Sequence, residues 1–244
     1  MQHYEESFNI KSFDIDFNHN LKLSMLFSYM QNVAEEHAAL LGVGYERLIK
    51  NDMHWILSRL KLDIKRMPKW KETIKCRTWA KGIDRLFALR DFLIFDSDDN
   101  IIISVTQNWL LISTKNSRPL KIESIGDFLN DTISQAIDEK LDKLTIPENA
   151  NVIDKITKDI RTSDIDIYFH VNNSKYVDWV SDMLVDEFLN KQNISSLEIN
   201  FLSEIKINSK IEIIKSIGDD GFVYVESKEL NSGKTNFISK VLIK

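Results

Sequence analysis

Residues 164–173, DIDIYFHVNN, bring Asp166, His170 and Asn172 together within seven positions, just ahead of an amphipathic stretch. A carboxylate and an imidazole so close in sequence can hold and move a proton at one reacting centre, the requirement of general acid–base hydrolysis. The start of a helix adds unpaired N–H groups and the positive end of a dipole, which favour a developing oxyanion. The same residues also suit a plainer task. Asn172, Asn173 or Ser174 can cap the helix while Asp166 makes an Asx turn. The two roles are compatible. A second stretch, DIDFNHNL at 14–21, has the same aspartates and a following histidine, His19, with a spacing that reads one residue shorter.

The elements that must carry these corners also read as a repeat. Residues 3–13 alternate as a strand. Leu26, Met30, Val33, His37 and Leu40/Leu41 then recur at helical spacing, with Gly42 as a stop. Four strand-like runs follow, WILSRLKLDIKR, ETIKCRTWAK, RLFALRDFLIFD and IIISVTQNWLLIS, the last two joined by the turn residues Asp98, Asp99 and Asn100. In the third run Phe87, Leu89, Leu93 and Phe95 share one face. Residues 121–150 form a polar, acidic connector with a short helix predicted over DTISQAIDEKLDKL. The order then restarts: VIDKITKDI as strand, 174–190 as one helix with Tyr176, Trp179/Val180, Met183/Leu184 and Phe188 on a stripe, and four more strands. Each sheet must bury its apolar face on its own helix. The expectation is an α+β protein of two similar halves, 1–120 and 151–244, joined by a linker at 121–150.

Composition excludes several classes. The 244 residues are 43% hydrophobic with seven Gly and three Pro, which argues against disorder. A net charge of −5 gives no general pull toward nucleic acid. The single Cys76 excludes an intrachain disulfide and a cysteine metal cage, and no histidine pair stands at metal-ligand spacing, so neither metal nor cofactor is expected. The N-terminus lacks the features of a signal peptide and no apolar run approaches a membrane span, so a cytoplasmic protein is expected.

Strand, helix and wrapping antiparallel sheet, twice over, resembles the tandem hot-dog layout of the acyl-ACP thioesterases. YMQNVAEEHAALLGVGYERL, WILSRLKLDIKRMPKWKETIKCRTWAKG, ALRDFLIFD and NWLLISTKNSRPLKI are similar to that family's N-terminal half. SDIDIYFHVNNSKYVDW followed by LEINFLSE is similar to its C-terminal half. The resemblance implies hydrolysis of fatty acyl-[acyl carrier protein] to free fatty acid, with the acyl carrier protein as partner and a homodimer left open. An acyl-CoA thioesterase of the same fold, or an acyl-binding protein that has lost turnover, are the competing readings.

By the resemblance, Asp166 and His170 take the catalytic aspartate and histidine positions of D-x-N-x-H-V-N-N, while Tyr168 stands where the family has asparagine. The remaining position falls on LEINFLSEIK, which offers Ser203 and Glu204. A carboxylate activates water directly, whereas a serine needs its own base, so Glu204 is favoured. The N-terminal corner, with Met67 as mate of Glu204, is expected to be non-catalytic. The resemblance also puts the acyl chain in the N-terminal helix–sheet gap, near Met25, Met30, Trp55 and Trp79. His37, on the apolar stripe, reads as a core histidine. Between 59 and 77 eight Lys and Arg face only Asp63 and Glu72, so Lys65, Arg66 and Lys69 are candidates for docking an acidic carrier. A solvated strand face explains the same charges equally well.

Overall fold

The computed structural model describes residues 3–125, 135–167 and 169–244 and divides into units Met1–Leu141 and Asp142–Lys244. The first contains β1 (Tyr4–Asn9), α1 (Leu23–Leu40), α2 (Tyr45–Lys50), β2 (Met53–Ile64), β3 (Thr73–Asp84), β4 (Phe87–Phe95) and β5 (Ile101–Ser113). Its strands are antiparallel in the order β1-β3-β4-β5-β2. The second contains β6 (Asn151–Asp159), α3 (Asn173–Asp182), α4 (Val185–Leu189), β7 (Ile194–Phe201), β8 (Lys210–Ile217), β9 (Val223–Glu229) and β10 (Thr235–Ile243). Its order, β6-β8-β9-β10-β7, repeats the first connection for connection. Each unit is a hot-dog: a strand, a central helix, and four antiparallel strands.

α1 forms because its apolar residues recur at three and four, and Leu26, Phe27, Met30, Val33, Ala34, His37 and Ala38 are all buried. The sheet meets it with two cross-strand rows. Leu62, Val105, Phe92 and Thr78 are register partners, as are Ile64, Ile103, Ile94 and Cys76, and all eight are buried. Covering such a side chain fully is worth roughly 1.5–3 kcal/mol. The helix side of β4 is thus Phe92 and Ile94, not the Phe87–Leu89–Leu93–Phe95 face. Both faces of this strand are covered, so its alternation does not say which one meets the helix.

The opposite face is covered by the connector. Ala136 N–H donates to Asp91 Oδ2 at 2.7 Å, Lys81 Nζ to the carbonyl of Ile137 at 2.9 Å, and Arg59 Nη1 to that of Leu141 at 2.5 Å. Lys61 pairs with Glu139. Ile137 and Leu141 are buried against this face. The helix expected here does not form over residues 135–144, and residues 131–134 lie outside those described. Ile137 and Leu141 stand at helical spacing, but a helix would tie up the Ile137 carbonyl that the sheet's Lys81 takes.

The helix expected over 174–190 is broken after Asp182. Met183 and Leu184 are both buried at the break, and α4 then carries Glu187 over the buried Lys215, whose Nζ lies 2.6 and 2.9 Å from its two carboxylate oxygens. A buried ammonium needs such a partner.

Candidate active site

The corner is built by Asp164 and Asp166. At the end of a 3₁₀ turn, Asp164 accepts Arg161 N–H on its carboxylate at 2.9 Å and Asn172 N–H on its carbonyl at 2.9 Å. Asp166 N–H donates to the His170 carbonyl at 2.9 Å, and the Asp166 carboxylate accepts His170 N–H at 3.4 Å. The loop closes through Phe169 at φ +62°, a left-handed backbone that is uncommon in residues other than glycine. Asn172 then caps α3, its Oδ1 accepting from Ser174 N at 2.9 Å and Ser174 Oγ at 2.8 Å.

The chain after β7 crosses this corner. Val171 N–H donates to the Ile205 carbonyl at 3.1 Å and His170 bridges Lys206. That register brings Glu204 Oε2 to 3.1 Å from His170 Nε2, with 42% of the Glu204 side chain and 29% of the His170 side chain still open to solvent. A carboxylate held on an imidazole, both reachable by water, can take a proton from water and return one to a leaving group.

Among the residues singled out by sequence, Asp166, His170 and Glu204 come together, His170 and Glu204 by side chain and Asp166 through the main chain of His170. Tyr168 lies outside the described residues. Asn172 is the helix cap. Ser203 turns elsewhere: its Oγ donates to the Thr235 carbonyl at 3.0 Å and accepts from Asn236 Nδ2 at 3.1 Å. A residue read only as part of the helix stripe also belongs here. Tyr176, buried on α3, has the Glu204 and Asp166 carboxylates as its charged neighbours.

The N-terminal corner has the same skeleton and different side chains. Asp16 N–H donates to the Asn20 carbonyl at 2.8 Å, Leu21 N–H to the Pro68 carbonyl at 2.7 Å, Lys22 N–H to the Asp14 carbonyl at 2.9 Å, and Asn20 bridges Lys69. Asn20 therefore stands where His170 does, Pro68 where Ile205 does, and Met67 where Glu204 does. His19, at φ +63°, matches Phe169. This corrects the shorter spacing expected from DIDFNHNL: no residue is missing, and the histidine sits one position off.

The remaining candidates are spread over the first unit. Met30 is fully buried and Met25 half-buried on α1. Trp55 donates Nε1 to the Val43 carbonyl at 3.0 Å beside Ala38, Leu48 and Leu111. Trp79 is buried on the connector side of β3, where it is the register partner of Asp91, and so lies off the helix–sheet gap. In the basic stretch Arg66 is held by Glu72 at 2.9 Å and Asp96 at 3.1 Å, Lys75 by Asp99 and Arg77 by Glu5. Lys65 and Lys69 are exposed. Among the described residues no cluster of His, Cys, Asp and Glu could hold a metal ion, and no helix is long and apolar enough to cross a membrane.

Two tandem hot-dog units, with a histidine–carboxylate pair at the corner of the second, define the class of the double hot-dog proteins. Residues 1–127 match the acyl-ACP thioesterase N-terminal domain and residues 149–240 its C-terminal domain, so the chain belongs to the acyl-ACP thioesterase family. It is 26% identical over 227 residues to an acyl-[acyl-carrier-protein] hydrolase, chloroplastic, of Cuphea viscosissima, covering 88% of this chain and 55% of that protein. To the dodecanoyl-[acyl-carrier-protein] hydrolase of Cinnamomum camphora it is 24% identical, covering 88% of this chain and 59% of that one. The chain thus spans about half the length of these curated relatives. Among solved structures, an acyl-ACP thioesterase from Bacteroides thetaiotaomicron superposes with a TM-score of 0.87 at 27% identity, covering 99% of this chain and 98% of the other. The 12:0-ACP thioesterase of Umbellularia californica superposes with a TM-score of 0.84 at 22% identity, covering 99% and 97%, and shares the fold.

Proposed function

We propose that this chain hydrolyses the thioester between a fatty acyl chain and acyl carrier protein, using the C-terminal corner. The observation that carries this reading is the 3.1 Å approach of His170 Nε2 to Glu204 Oε2. Glu204 takes a proton from a water, whose oxygen bonds to the thioester carbonyl carbon. The tetrahedral intermediate collapses with cleavage of the C–S bond, and the proton taken by Glu204 passes across the 3.1 Å contact to His170, which delivers it to the departing sulfur. Asp166 keeps the loop closed so that the imidazole faces Glu204. Free fatty acid and the carrier's thiol are the products.

The acyl chain is assigned to the helix–sheet gap of the first unit, near Met25, Met30 and Trp55. Lys65 and Lys69 are the exposed cations assigned to an acidic carrier, since Arg66 already has two carboxylates. Release of thiol from acyl-[acyl carrier protein] and from acyl-CoA, followed side by side with a thiol reagent, tests the reading. Hydrolysis favouring the carrier-bound substrate is expected. Faster turnover of acyl-CoA would replace the carrier assignment, and tight binding without thiol release would replace hydrolysis.

A further inference from the structure

Glu204 lies just past the end of β7, and the chain is fastened on both sides of it. The ladder with β10 runs to Phe201, the register partner of Phe237. Beyond it the N–H groups of Leu202 and Ser203 both donate to the Asn236 carbonyl, at 2.8 and 3.1 Å. The Ser203 hydroxyl then donates to the Thr235 carbonyl at 3.0 Å. That hydroxyl is itself fixed. It accepts from Asn236 Nδ2 at 3.1 Å, and Asn236 Oδ1 accepts from Ser227 Oγ at 3.4 Å. On the far side of Glu204, the Ile205 carbonyl accepts Val171 N–H at 3.1 Å. Between these two attachments the Glu204 carboxylate meets His170.

Asn236 is 2% exposed and Ser227 is fully buried. An amide and a hydroxyl are costly to bury unless paired, so this run of side chains needs a reason. Were it required to end the strand of a hot-dog unit, both units would carry it. In the first unit Lys65 N–H donates to the Ile102 carbonyl at 2.9 Å, as Leu202 N–H does to that of Asn236. Ile102 therefore takes the place of Asn236, and Arg66 that of Ser203. Ile102 is buried and apolar, and Arg66 reaches away to Glu72 and Asp96. That strand leaves its sheet by the same main-chain bond without a hydroxyl or an amide, and the residue that follows is Met67. The polar side chains stand where a glutamate has to be aimed.

We infer that Ser203 and Asn236 are positioning residues, fastening the chain on the β7 side of Glu204 so that its carboxylate meets His170 Nε2. This deepens the hydrolase reading above and rests on it. Small misplacements of a reacting group are expensive in rate, about a hundredfold for 1 Å.

The test is Ser203→Ala, which removes one hydroxyl and leaves the main-chain bonds. Thiol release from acyl-[acyl carrier protein] should show kcat about tenfold lower with KM within about twofold of the parent. Asn236→Ile, the first unit's residue at this place, should give the same pattern, and Ser203→Thr, which keeps the hydroxyl, should hold kcat within about threefold of the parent. In a Glu204→Gln background Ser203→Ala should cost almost nothing further, because Ser203 acts through Glu204. Ser239→Ala removes another buried hydroxyl of β10, one that donates to the Val225 carbonyl at 3.0 Å, and should leave kcat unchanged. A readout independent of turnover is carbethoxylation of His170 by diethyl pyrocarbonate, followed by mass spectrometry. It should proceed faster in Ser203→Ala than in the parent once Glu204 no longer covers Nε2. If the parent turned over no thioester, the hydrolase reading would fall while carbethoxylation still decided the positioning role. An additive loss in the Glu204→Gln background overturns the assignment, as does an unchanged carbethoxylation rate. So does loss of cooperative unfolding in Ser203→Ala, which would make the hydroxyl a folding group.

Discussion

Asn20 and His170 occupy one place in two corners bonded alike: the carbonyl of each accepts an aspartate N–H, from Asp16 at 2.8 Å and from Asp166 at 2.9 Å. Backbone, burial and turn are shared, and the difference lies in what the side chains meet. His170 meets Glu204 at 3.1 Å. Asn20 stands in a corner whose equivalent position is Met67.

His170→Ala and Glu204→Gln should each lower kcat by about a hundredfold or more, the scale of losing a general acid or base. Asn20→Ala and Met67→Ala, the changes at the matching places, should leave kcat within about threefold of the parent, since no proton moves there. Thiol release by the four variants, with unfolding followed alongside, decides. Equal losses in the two corners would reduce the motif to a way of starting a helix.

Asp166→Ala should act on the loop as well as on rate. The carboxylate that accepts His170 N–H is removed, and losing a capping-type acceptor costs roughly 0.5–2 kcal/mol of stability. Denaturant unfolding should show that loss, together with a fall in kcat. A destabilised variant with unaltered kcat would confine Asp166 to structure.

Alkylation should not touch activity. Cys76 is fully buried on the helix side of β3, and burial pushes its thiol pKa upward, away from the reactive thiolate. Iodoacetamide should leave thiol release by the folded protein unchanged and label Cys76 in urea. Inactivation that a Cys76→Ser variant escapes would show that the thiol matters.

Asp91 should give the connector a pH-dependent hold. Burial raises its carboxyl pKa, against the opposing pull of Thr106, the Ala136 N–H and Lys81. Ionisation therefore costs more in the folded chain than in the unfolded one. The folded state is favoured as pH falls toward the raised value, and that advantage is lost as pH rises through it. Relative to Asp91→Asn, the parent's unfolding free energy should be greater at pH 4 than at pH 7. The reverse slope would mean that the ion pair with Lys81, at 3.5 Å, outweighs burial.

Changes of bulk on α1 should alter the choice of chain length more than the best rate. Met30→Trp and Met25→Ala change volume at buried and half-buried positions of the helix, and one methylene is worth only about 1–3 kcal/mol of discrimination. Hydrolysis of a graded series of saturated acyl substrates should show a shifted optimum. An unmoved profile in folded variants would take the acyl chain out of this layer.

Much of the layout was legible before any coordinates, because it depends on local periodicity. α1, the strands β2 to β5 and the restart at β6 follow from which residues recur at two or at three to four positions. The corner at 164–173 was legible for a similar reason: capping and turn chemistry act over a few residues, and Asp164, Asp166 and Asn172 form their bonds within that reach. Asp166 and His170 were readable through resemblance to a family whose motif they match, and Glu204 through the chemistry of a carboxylate on the strand where the remaining position falls.

Long-range packing decided the rest. Ile137 and Leu141 carry a helix-like spacing, yet no helix forms over 135–144, where Lys81 and Arg59, distant in sequence, take the carbonyls. Phe92 and Ile94, not Phe87 and Leu89, meet α1, since both faces of β4 are covered and alternation is silent about which cover is the helix. Carboxylate chemistry favoured Glu204 over Ser203 in the sequence, but which of the two meets His170 was decided by direction: adjacent residues point opposite ways from an extended chain, and the register of Val171 on Ile205 turns the glutamate to His170. Asn20, not His19, is the mate of His170 for the same reason. Spacing along the chain counts residues, whereas place in a corner is set by which main-chain groups hydrogen-bond across it.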